Sequence, residues 1–95
     1  MQYIDVQWLH TSPDEPVRLV SELGPDRYET RKLEFWRDGR VGFASETDAS
    51  EGTRLGEVPV PDISEINAEE EFVANEIDAS SFEALWTRYV AGSDR

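Results

Sequence analysis

Tyr28-Glu29-Thr30-Arg31-Lys32-Leu33-Glu34-Phe35-Trp36-Arg37-Asp38-Gly39-Arg40-Val41-Gly42-Phe43-Ala44-Ser45 reads as two strands joined through Asp38-Gly39, a short-range hairpin signal. Its register decides which side chains face a core. A two-residue turn would set Arg37 against Arg40 and mix apolar with charged residues on both faces. A three-residue loop, Arg37-Asp38-Gly39 with a left-handed Gly39, pairs Trp36 with Arg40, Phe35 with Val41, Glu34 with Gly42 and Leu33 with Phe43. The longer loop is preferred, because it gathers Leu33, Phe35, Val41 and Phe43 on one surface and separates the two arginines. Trp36 then lies on the opposite face beside Arg40.

The flanking segments extend this sheet. Tyr3-Ile4-Asp5-Val6-Gln7-Trp8-Leu9-His10 alternates with period two, so Ile4, Val6 and Trp8 share a face. Thr11 to Pro16 is a proline-interrupted loop. Val17 to Leu23 is read as a further strand, closed by Gly24-Pro25-Asp26. Glu46 to Thr53 carries small polar residues without a period, and a mobile surface loop is expected. The prolines of Val58-Pro59-Val60-Pro61 exclude a central strand and suit an extended segment. Asp62-Ile63-Ser64-Glu65 fits a capping box for one short helix ending near Ala68, and Phe72 to Ile77 is read as a strand. A second capping box, Ser80-Ser81-Phe82-Glu83, opens an amphipathic helix from about Ser81 to Val90. In it Phe82, Leu85, Trp86, Tyr89 and Val90 recur at helical spacing, and Gly92 stops it before a short tail, 92–95.

These elements predict one domain over residues 1–95, an α+β fold whose antiparallel sheet of four or five strands packs against the C-terminal helix. A chain of 95 residues has no room for a second core. Ten aromatic rings argue for a folded chain despite a charged content of 32%. The absence of cysteine removes disulfides and thiolate chemistry, leaving the core to hold the fold. No apolar run approaches the ~20 residues of a membrane span and the start lacks a signal-peptide pattern, so a cytoplasmic protein with no membrane partner is expected.

Charge is the strongest functional signal. The net charge is −12, of which −3 falls in residues 1–46 and −9 in residues 47–95. Between Glu57 and Glu83 there are nine acids and no Lys or Arg. Such a surface repels phosphates, which excludes nucleic acid, and favours a basic protein partner. Glu57, Asp62, Glu65, Glu69, Glu70, Glu71 and Glu76 are the candidate partner-binding acids, joined by Trp36 if no other segment covers it. Arg31, Lys32, Arg37 and Arg40 on the hairpin are expected to pair with the protein's own acidic half.

Catalytic signals are sparse. His10 is the only histidine, and a zinc site around it would need three carboxylates, so a structural His10 is the simpler reading and no metal or cofactor is expected. Asp48-Ala49-Ser50-Glu51-Gly52 lacks the alternating oxygen ligands of a calcium loop. The glycines are scattered singly, with no phosphate-cradling loop. A pocket formed by Trp8, His10, Tyr28 and Arg54 is the alternative site, in a small ligand-binding or catalytic domain. A homodimeric regulatory domain joined through the Trp36 face is the third reading.

Several stretches together resemble a family of small bacterial proteins of unknown function. They are Tyr3 to His10, Pro13-Asp14-Glu15-Pro16, Asp26-Arg27-Tyr28-Glu29, Phe35 to Arg40, Gly52-Thr53-Arg54-Leu55-Gly56 with Val58-Pro59-Val60-Pro61, and Phe82-Glu83-Ala84-Leu85-Trp86. The resemblance runs over roughly positions 2 to 90 and carries no catalytic residues. In size and charge its members are similar to the acidic proteins that neutralise toxins in bacterial competition. The expectation is therefore an immunity-type inhibitor that blocks a basic toxin or nuclease surface.

Overall fold

The computed structural model describes residues 1–90. It contains strands β1 (Gln2–Trp8), β2 (Arg18–Leu23), β3 (Glu29–Phe35) and β4 (Val41–Ser45), helix α1 (Ile63–Asn67), strand β5 (Phe72–Ile77) and helix α2 (Ala79–Tyr89). The five strands form one antiparallel sheet in the order β4-β3-β2-β1-β5. The first four make a meander, and β5 returns along the free side of β1. This is the α+β fold read from the sequence.

The hairpin adopts the longer-loop register. Phe35 faces Val41, Glu34 faces Gly42 and Leu33 faces Phe43. The Trp36 amide donates to the Arg40 carbonyl at 2.9 Å, and Gly39 sits at φ +96°, where a side chain is strained. Strand alternation then sends Val20, Leu33, Phe35, Val41 and Phe43 to one face. There α2 lays down Phe82, Leu85, Trp86 and Tyr89. Phe82 is fully buried, and ring contacts join Tyr3 to Phe82, Phe35 to Tyr89 and Phe43 to Trp86 at 5.2, 5.2 and 5.9 Å.

The second face is also covered, which the strand pattern did not announce. Ile4, Val6, Leu23 and Ala74 pack under Val60, Ile63, Ile66 and Phe72. The covering layer is the proline-spaced segment ending at Pro61, followed by α1. Arg27 holds this strap in place. It adopts the left-handed conformation at φ +66° in the turn between β2 and β3, and its carbonyl accepts from the Val60 amide at 2.9 Å. Its guanidinium donates to the carbonyls of Val60 and Pro61, each at 2.7 Å, and to the Gln2 side chain.

Both helix starts differ from the capping-box reading. Asp78 caps α2, its Oδ1 accepting from the Ser81 amide at 2.8 Å, and the helix begins at Ala79. Asp78 also accepts the Ser80 hydroxyl, and these bonds hold its carboxyl below the ordinary range. Ser80 thus lies inside the helix, and Glu83 turns to Arg31 instead. At α1 the Asp62 side chain makes no cap bond and stands 3.6 Å from Arg27 Nε. The stop at Gly92 and the tail 92–95 lie outside the described residues.

Candidate functional site

The strap and α1 leave a groove on the second sheet face. Its cavity of about 460 Å³ is lined by Ile4, Val6, Leu19 and Phe72 on the strands, by Val60, Pro61 and Ile66 on the covering layer, and by Ser21, Glu29, Glu65 and Glu69. Apolar atoms dominate the lining, and no cation among the described residues contributes to it. The floor is apolar because Ile4, Val6 and Leu19 sit at alternating positions facing the same way, with Val6 directly opposite Leu19. The walls come from Val60 and Ile66, whose spacing across the prolines and α1 turns them toward the sheet.

Along the sheet from this groove lies a polar network. Lys32 is buried, with Nζ 3.2 Å from Glu29 Oε1 and 3.8 Å from Glu34 Oε2. Ser21 donates to Glu29 at 3.1 Å, the Gly56 amide donates to the same carboxylate at 2.6 Å, and Thr53 donates to Glu34 at 3.0 Å. The network ties the segment after β4 down onto the sheet. Gly42 makes this close approach feasible, since a Cβ there would lie 2.1 Å from Thr53 Oγ1. The 46–53 loop is itself bonded to β4 through Ser50 to Phe43 and Asp48 to Ser45. Every buried polar side-chain atom among the described residues has a partner.

On the α2 face, Arg31 donates to Glu22 through Nε at 2.9 Å and Nη2 at 2.7 Å, and to Glu83 through Nη1 at 3.1 Å. Its guanidinium lies 4.8 Å from the Phe82 ring centre and 5.0 Å from that of Trp86. The Arg31 bonds lower the Glu22 carboxyl to about 2 against the opposing effect of burial, and Thr30 adds to the lowering. The same partners raise Arg31 above its ordinary value. Arg18 forms a similar fork with Asp5 at 3.0 and 2.7 Å.

The cations of the hairpin therefore do not serve the acidic half as expected. Lys32 pairs with Glu29 and Glu34, Arg40 with Asp38, and Arg37 donates to the His10 carbonyl. Only Arg31 reaches into the second half, at Glu83. The carboxylates that take these cations stand on β3 itself, in its turn or across from it on β2, so local pairs form first.

The seven candidate acids are all exposed. Glu57 lies on the strap, Asp62 at the start of α1, Glu65 on α1, Glu69, Glu70 and Glu71 in the turn before β5, and Glu76 on β5 opposite Ile4. Asp62 is near Arg27, and Glu71 accepts from the Trp8 indole at 3.3 Å. The other five make no ion pair with any described residue. Trp36 is not among them in space. It directly follows β3, which two strands separate from β5, and there Arg40 stacks 5.2 Å from its ring centre and the Asp14 carbonyl accepts from its indole at 3.4 Å. It is half-buried in a crevice beside Gly42, Ser50 and Gly52.

The alternative constellation is brought together only in part. Trp8 and His10 meet edge to face at 4.6 Å and line a shallow crevice with Gln7, Leu9, Val17, Arg18 and Arg37. Tyr28 stands in the turn at the opposite end of the strands, about 20 Å of strand away, and Arg54 is exposed on the strap. Both ring nitrogens of His10 are engaged by backbone. Nδ1 accepts from the Ser12 amide at 3.0 Å, so Nε2 donates to the Pro16 carbonyl at 2.7 Å. His10 thereby closes the proline loop. Among the described residues no group of three or more His, Asp or Glu side chains is placed to hold a metal ion, and no helix is long and apolar enough to cross a membrane.

Glu65 and Glu69 stand out in the sequence as charge, but the groove they border does not. Val60, Ile63 and Ile66 were visible as apolar residues of the acidic stretch, and only the Arg27 clamp shows where they pack.

The chain belongs to a family described as a domain of unknown function, DUF6881, which it matches over residues 2–91. No curated protein and no solved structure matches it significantly.

Proposed function

We propose that this protein is an acidic protein-binding module, an immunity-type inhibitor that covers the basic surface of a toxin or nuclease. The observation that carries this reading is the uncompensated acid surface. Glu57, Glu65, Glu69, Glu70 and Glu76 are exposed without ion partners among the described residues, while Arg18, Arg31, Lys32 and Arg40 are engaged elsewhere in the fold. Unpaired like charges cost stability through self-repulsion, and a basic partner converts that cost into steering and complementarity.

Capture from the native cell lysate at low salt and at ~0.5 M salt tests the reading, because the Debye length then shrinks to a few ångströms. One basic protein retained at low salt and weakened at high salt is the expected result. Glu69, Glu70 and Glu71 replaced by Lys should slow association with that protein about tenfold or more at low salt, without a folding defect. Unchanged association of this variant would remove the acid surface from the binding face.

A further inference from the structure

We propose that the groove beneath α1 is a socket for the long cationic side chain of a basic partner, with the aliphatic stem on Ile4, Val6 and Leu19 and the charged head at Glu65 and Glu69. This rests on the partner-binding reading above and names the chemistry of its contact. The groove is apolar along its floor and walls and carries charge of one sign only. That combination fits a lysine or arginine, whose methylene stem covers apolar surface while its head stays at the wet rim.

The three carboxylates of the lining are not equivalent. Glu29 is committed to Lys32, Ser21 and the Gly56 amide. Glu65 and Glu69 are exposed, make no ion pair with any described residue and border the same cavity, Glu65 from α1 and Glu69 from the turn that follows it. Glu69 also follows the negative end of α1, where an acid is unfavourable. Glu65, in the first turn of α1, is where an acid is favoured, so only Glu69 stands against the helix-end preference. A guest ammonium or guanidinium at the rim is attracted by both carboxylates, and an anionic or neutral guest by neither.

The test is a titration of the isolated protein with n-hexylammonium, using hexanoate and hexanol as controls and following backbone amides by two-dimensional NMR. The socket predicts shifts at Leu19, Ile66 and Phe72 with hexylammonium, and binding at least about fivefold tighter than for either control. In E65Q/E69Q, changed only at exposed positions, that preference should fall to about the level of hexanol. Equal binding of hexanoate, an unshifted groove, or a preference that survives E65Q/E69Q overturns the proposal. No partner protein enters this titration, so a failed capture from the lysate removes the inhibitor reading and leaves this result to stand by itself. Conversely, a captured partner that binds E65Q/E69Q as tightly as the parent removes the socket and keeps the inhibitor.

Discussion

Replacing Glu22 with Gln should remove one of the strongest polar contributions to the fold, by an amount that depends on pH. Glu22 lies directly opposite Arg31 across β2 and β3, and its side chain is 8% exposed against 22% for Arg31. The two-point bond from Arg31 holds the carboxyl at about 2, compared with an ordinary 4.5. At 1.36 kcal/mol per pH unit, this gap favours the folded protein by about 3 kcal/mol at neutral pH. The open side of Arg31 admits water, so about 2 kcal/mol is the expected loss in Glu22→Gln. That is a sizeable part of the 5 to 10 kcal/mol or so of a domain this size, and lowers Tm by about 10 °C. The folded-state value is depressed, so the contribution is complete above the unfolded value of 4.5 and fades as pH falls toward 2. By about pH 3 more than half of it should be gone. Urea unfolding of parent and variant, followed by tryptophan fluorescence at pH 7, 5, 4 and 3, measures the difference directly. A variant within about 0.5 kcal/mol of the parent at pH 7 would refute the reasoning, as would a gap that stays constant from pH 5 to pH 3.

Arg27→Ala should free the strap, because it removes the donors to Val60 and Pro61, and hydrogen exchange at the Val60 amide should accelerate. Arg27→Gly loses the same bonds but relieves the φ of +66°, so it should be more stable than Arg27→Ala by about 1 kcal/mol in thermal unfolding. The start of α2 offers a paired comparison. Asp78→Ala should cost about 1 kcal/mol through loss of the cap to Ser81, whereas Ser80→Ala should cost only a few tenths, and the reverse order in urea unfolding would restore Ser80 as the cap.

The hairpin from Glu29 to Ser45 was legible to the residue. Its register follows from local constraints: the strand period of two, the left-handed turn glycine and the avoidance of opposed arginines. The apolar stripe of Phe82, Leu85, Trp86 and Tyr89 likewise announced α2 and the face it covers, since burying those rings leaves one stable placement on a sheet. The ends of the helices were less legible. Asp78 and Ser80 are both good capping residues, and the choice between them is settled by where β5 stops, one residue before Asp78. The acids of residues 57–76 were visible as charge, but that five of them lack an ion partner among the described residues is a spatial fact, decided when the cations of β2 and β3 met carboxylates along and across those strands. His10 could be read as a base or a structural group until both ring nitrogens met the backbone of its own loop. The strands, the last helix and the sign of the surface could be read from the chain alone, because each depends on neighbours within a few residues. Only the tertiary structure decided that the second sheet face is roofed by a proline strap, clamped by an arginine about thirty residues away, and that an apolar groove opens beneath two unpaired glutamates, because contacts at that separation leave no periodic trace in the chain.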